Sequence, residues 1–161
     1  MNRNGLTLIE LMFAIAIIGI LLAIGTLDFN QMTRKYAIEA QTREMYSDLV
    51  DLRLKAMYKK RAHAAKLTAT TFNAYSSQNT SGTPIGLMYT KNLKYQITYS
   101  NTMATISFDS HGLTTDLGCI CTEPSGNPGG VDSVVFSYMT QFNIGKRSTG
   151  GDCKSVNIEI R

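Results

Sequence analysis

Tryptophan is absent from this chain, and histidine occurs only twice, at His63 and His111. Neither histidine stands at a catalytic or metal-binding spacing, and no glycine-rich phosphate loop precedes a helix pattern. The expectation is therefore a non-enzyme with no cofactor and no metal. Proline is nearly as scarce: there are three, none of them between Met1 and Thr83, so a long uninterrupted helix is allowed there. Charged residues are 17% of the chain, below the roughly 25% of soluble domains. The formal net charge of +4 is too small to imply nucleic acid without clustering. The three cysteines, Cys119, Cys121 and Cys153, all fall in the last third. Behind a membrane signal, that usage points to an oxidising compartment. C-I-C is not a haem attachment signal. A metal set of Cys119, Cys121, Cys153 and His111 suits by ligand type but has no recognised spacing.

What the chain does have is a hydrophobic run. From Leu6 to Leu27 the only ionisable residue is Glu10. As a helix this stretch would be about 33 Å long, which matches a bilayer core of about 30 Å. An ordinary cleaved signal peptide fits poorly. The basic n-region is Arg3 alone, the run is longer than the usual ~7–15 residues, and no A-x-A site follows. Arg3 before the run nearly balances Arg34 and Lys35 after it, so charge alone does not set orientation. The polar, cysteine-bearing bulk of the chain argues that the C-terminal side is exported. A carboxylate in such a segment costs about 2.5–3.5 kcal/mol. Its position in the first turn complements the positive helix end. It also stands four residues from Leu6, at i, i+4 spacing.

The stretch NGLTLIELMFAIAIIGILLAI resembles the N-terminal class III signal of type IV pilins and type II secretion pseudopilins. By that resemblance Gly5 is the last leader residue, and Leu6 is the first mature residue and the site of N-methylation. Glu10 is implied to serve assembly by meeting a neighbouring subunit's N-terminal amine. Two departures stand out: Leu6 replaces the family's usual Phe, and no proline breaks the helix. The resemblance implies a leader at 1–5, a transmembrane and filament-core helix at 6–27, an amphipathic second half at 28–60 and a β-rich periplasmic head at 61–161. It implies a single-pass bacterial inner-membrane protein that enters a filament after assembly. Its partners would be other pilin or pseudopilin subunits, a prepilin peptidase, an inner-membrane assembly platform and membrane lipid.

Beyond Leu27 the pattern itself supports this layout. Ile38, Met45, Leu49, Leu52 and Ala56 recur at helical spacing, and Val50, Leu54 and Met57 widen the stripe. The basic run YKKRAHAAK, residues 58–66, reads as the cationic end of the helix followed by a solvated loop. About six short strands follow. Leu93–Ser100 and Thr102–Ser110 read as one hairpin, VDSVVFSYM and FNIGKRS as a second, and Ser155–Arg161 as a terminal strand. The fold class is α+β: a long N-terminal helix with its first half transmembrane, packed by an antiparallel β-sheet head. Within the superfamily, FDSHGL (Phe108, Asp109, Gly112) and KSVNIEI resemble the GspH/FimT-type minor pseudopilins. The function this implies is a structural minor pilin or pseudopilin of a type IV pilus or type II secretion pseudopilus.

Cys119 and Cys121 point to one face of an extended segment, so they are poor partners for each other. Either reaches Cys153, closing a loop worth about 3–4 kcal/mol; Cys121–Cys153 and Cys119–Cys153 both stay open. Nucleic acid is left out of the expected partners. The alternative reading, a DNA-binding minor pilin of a competence-type pilus, would use Lys146, Arg147, Lys154 and Arg161 as phosphate contacts.

Overall fold

The structure is a computed structural model. It describes residues 7–78, 86–100, 104–123 and 130–161, with the backbone alone for residues 23–28. The chain divides into two compact units, Met1–Arg34 and Lys35–Arg161.

Helix α1 spans Leu8–Lys59. It supplies the first unit's described part and opens the second. In the second unit the expected apolar stripe is the one that is buried: Ile38, Leu49, Leu52 and Ala56 are fully inaccessible and Met45 nearly so. Leu54, assigned to the same stripe, is instead exposed, and Val50 and Met57 are half-buried at its margin. The helix ends at Lys60, whose φ of 52° is left-handed. The Arg61 N–H then reaches back to the Ala56 carbonyl at 3.3 Å, the long bond of a Schellman cap. Glycine is the usual residue at such a position; here a lysine accepts the strain.

Among the described residues nine strands follow. The first sheet orders β3 (Leu87–Asn92), β2 (Thr71–Tyr75), β1 (His63–Leu67) and β5 (Thr105–Phe108), all antiparallel. The second orders β4 (Ile97–Tyr99), β6 (Gly118–Thr122), β7 (Ser133–Tyr138), β8 (Gln141–Arg147) and β9 (Ile158–Ile160), again antiparallel. The core joins both sheets to α1. Met45, Leu49, Leu52 and Ala56 meet Ala65, Phe72, Ile106 and Phe108 from the first sheet, and Ile120, Val134, Phe136 and Phe142 from the second.

Two sequence expectations differ here. The end of the basic run contains β1, an interior strand with His63, Ala64 and Ala65 fully buried. A strand covered on both faces loses the alternation that betrays an exposed one. The expected hairpin of 93–100 with 102–110 does not form. Ile97 pairs with Thr122 and Phe108 with His63, so β4 and β5 lie in different sheets. Alternation marks both as half-buried strands but carries no information about their partners. The β7–β8 hairpin forms as expected. The terminal strand is shortened by a 3₁₀ turn at Ser155–Asn157 ahead of β9.

Two adjacent polar residues fasten α1 to the head. Gln41 Nε2 donates to the Tyr95 carbonyl at 2.7 Å, and its Oε1 accepts from the Tyr95 N–H at 2.9 Å. Thr42, fully buried, meets the Thr122 hydroxyl at 2.9 Å. Further along, Lys91 Nζ lies 2.7 Å from Glu44 and 2.8 Å from Asp48, holding β3 against the helix. Burial and the nearby Asp48 charge push the Tyr89 hydroxyl up to about 12.

Candidate functional site

The N-terminal turn of α1 carries the first candidate. Thr7 stands just before the first helical residue. Its backbone N–H and its hydroxyl both donate to Glu10 Oε2 at 3.0 Å, and the Glu10 N–H returns a 3.4 Å bond to Thr7 Oγ1. T-L-I-E is thus a capping box, which satisfies helix donors that have no partner of their own. The pattern was present in the sequence as Thr followed three residues later by Glu. Reading Glu10 only as a charge missed it. Gly5 and Leu6, the expected cleavage and methylation positions, lie outside the described residues.

The surface behind this cap is apolar on all sides. Every side chain from 7 to 22 is exposed, and all from Leu11 to Leu22 are apolar or glycine. A helix that is hydrophobic all round belongs in a membrane or in the core of a larger assembly. Among the described residues, no helix is long and apolar enough to cross a membrane. The expected span, 6–27, includes residue 6 and the side chains of 23–27, which lie outside the description.

The second candidate lies on the second sheet. Alternation along β6 turns Ile120 and Thr122 towards α1, while Cys119 and Cys121 join Val135, Ile158 and Cys153 on the opposite face. The bridge is Cys121–Cys153, with a Cα separation of 5.9 Å. Cys119 is a buried free thiol whose Sγ lies 3.6 Å from Cys153 Sγ. All three sulfurs fall within 4.8 Å of one another, but two are spent in the bridge.

The four cations of the DNA alternative do not form one exposed cluster. Lys146 is half-buried, whereas Lys154 and Arg161 are exposed beside Asp152 and Glu159. Arg147 is buried, with Nη1 2.9 Å from Glu123 Oε1 and Nη2 donating to the Thr122 carbonyl. Its backbone N–H donates to Asp132, itself fully buried. Neighbouring residues of a strand face opposite sides, so Lys146 and Arg147 could not share a surface.

Phe108, Asp109 and Gly112 make a turn with a clear logic. Phe108 enters the core, and Asp109 Oδ1 accepts from the His111 and Leu113 N–H groups, both at 2.8 Å. Gly112 supplies a φ of 75°.

The Prokaryotic N-terminal methylation motif matches residues 1–26. The fold is similar to the type IV minor pilin FimU of Pseudomonas aeruginosa, with a TM-score of 0.57 over 70% of this chain and 91% of that one, at 11% identity. The chain thus combines an N-terminal methylation motif with a fold similar to that of a minor pilin. A second crystal form of FimU gives a TM-score of 0.51 at 12% identity, covering 65% and 90% of the two chains. No curated protein matches this chain in sequence.

Proposed function

We propose that this chain is a minor subunit of a type IV pilus or of a type II secretion pseudopilus, of the GspH/FimT type. Its leader is removed after Gly5, the Leu6 amine is methylated, and helix 6–27 passes from the inner membrane into a filament core. The head remains on the periplasmic side. The observation that carries the reading is an apolar helix surface, exposed in the single chain from Leu8 to Leu22 and bearing one carboxylate. Neighbouring helices in a filament would cover that surface. A neighbour's N-terminal amine would then neutralise Glu10, and because an unpaired buried charge is costly, the pair would fix axial register.

Glu10 has two separable jobs, capping its own helix and pairing with a neighbour. Glutamine serves in a capping box as glutamate does, but carries no charge. Glu10→Gln should therefore be processed normally yet enter filaments as poorly as Glu10→Ala. Subunit content in sheared filaments, with intact mass for processing, reads both outcomes. Wild-type incorporation of Glu10→Gln would leave the carboxylate a local cap and remove the register argument. An intact mass that still includes Met1–Gly5 would overturn the processing step.

A further inference from the structure

Cys119 is not used by the fold as a bridge, and it stands beside one. β6 presents Cys119 and Cys121 two residues apart on the same face, and the C-terminal loop brings Cys153 across both. Cys153 Sγ is bonded to Cys121 and lies 3.6 Å from Cys119 Sγ. We propose that Cys119 is an exchange partner built into this disulfide, so that the head carries two interconvertible bridges, Cys121–Cys153 and Cys119–Cys153. The inference stands on the second sheet alone and does not depend on the filament reading.

The step balances within the chain. Cys119 gives up its proton, and its thiolate attacks Cys153 Sγ. A new Cys119–Cys153 bond forms as the Cys121–Cys153 bond breaks, and the Cys121 thiolate takes up a proton. One disulfide and one thiol exist before and after, so no oxidant or reductant is consumed. The three sulfurs form a compact triangle, so lining up the attack requires a side-chain rotation. A Cys119–Cys121 bridge is the disfavoured third isomer. Residues two apart on a strand stand about 6.8 Å apart, at the outer limit of what a disulfide spans.

The environment makes exchange slow but tunable. Burial raises the Cys119 thiol above its ordinary range, against a hydrogen bond with Ser100 and the positive charge of Arg147 on β8. The neighbouring strands β7 and β9 contribute Val135 and Ile158, which carry no charge. The thiolate fraction, and with it the exchange rate, rises about tenfold per pH unit below the thiol's pKa. The structural consequence is a shift of the loop's anchor by two residues along β6, about 7 Å. That shift would reshape the opening lined by Thr98, Ser100, Glu123, Arg147 and Lys154.

The test uses the full-length protein in detergent, never exposed to reductant. Samples held at neutral pH and at about pH 9 are quenched in acid, unfolded, alkylated and mapped by peptide mass. Alkylation divided between Cys119 and Cys121, reached about tenfold faster per added pH unit, is expected. Label confined to Cys119 at both pH values would overturn the proposal. A second arm uses Cys121→Ser. It should contain a Cys119–Cys153 bridge and no free thiol, with a wild-type circular dichroism spectrum. A folded Cys121→Ser protein with two free thiols overturns the proposal, and if the variant does not fold, the wild-type map decides.

Discussion

Gly112 lies against Met57 with no room for another atom: a Cβ added there would sit 2.8 Å from Met57 Cγ and 2.9 Å from its sulfur. The contact fixes the Asp109–Leu113 turn onto α1 near the end of its buried stripe. It also gives the glycine two reasons to be glycine, because its φ of 75° is left-handed as well. Gly112→Ala should destabilise the protein by about 1–3 kcal/mol, combining overpacking with backbone strain. A thermal melt of the full chain in detergent checks this. An unchanged midpoint would mean that Met57 moves aside at no cost and the turn relaxes.

The end of α1 offers a change of opposite sign. Lys60 occupies the left-handed C-cap position that glycine fills most easily, and it is exposed. Lys60→Gly should stabilise by about 1 kcal/mol, raising the midpoint by about 2–4 °C. A lower midpoint would show that the lysine side chain contributes more than its backbone strain costs.

Gln41 reproduces, with one side chain, both hydrogen bonds of a strand partner to Tyr95. Gln41→Leu keeps the bulk but strands the Tyr95 N–H and carbonyl. The expected loss is about 1–3 kcal/mol. Hydrogen exchange should report it locally, with the Tyr95 amide losing protection ahead of the core amides of β7 and β8.

Asp109 gives a signed pH dependence. The Leu113 N–H above all holds its carboxyl below the ordinary carboxylate range; desolvation opposes it, and the His111 N–H and ring add to the lowering. A depressed folded value means stability that is present above the unfolded value, about 3.9, and is lost as pH falls through the folded value. Asp109→Asn should therefore be less stable than wild type at neutral pH. The gap should narrow steadily on acidification below about pH 4. Parallel melts across that range test it, and a gap independent of pH would assign the turn to geometry rather than charge.

Much of the helix could be read before any coordinates. Met45, Leu49 and Leu52 lie where a 3.6-residue period places them, because one long amphipathic face is a strong signal. The β-head was legible as strands but not as pairings: Ile97 and Phe108 each alternate correctly, yet their partners are Thr122 and His63. β1 hid inside a basic run because an interior strand shows no polar face. At the cysteines, same-face geometry narrowed the choice to two bridges without separating them, because Cys153 lies beside both Cys119 and Cys121. Arg147 looked like a surface cation by composition. Its place next to Lys146 on a strand already implied that one of the two turns inward.

Gln41 and Thr42 also bear on how the head withstands traction. Side by side on successive helix positions, they attach to Tyr95 and Thr122, just before β4 and at the end of β6. A pull along the helix axis loads these bonds together, in shear, and cannot peel them one at a time. The same pair keys the rotation of residues 38–56, so the helix can neither roll nor slip by a turn without uncovering buried polar groups. Within the second unit, residues 38–56 are thus gripped at a single angular setting against the two sheets.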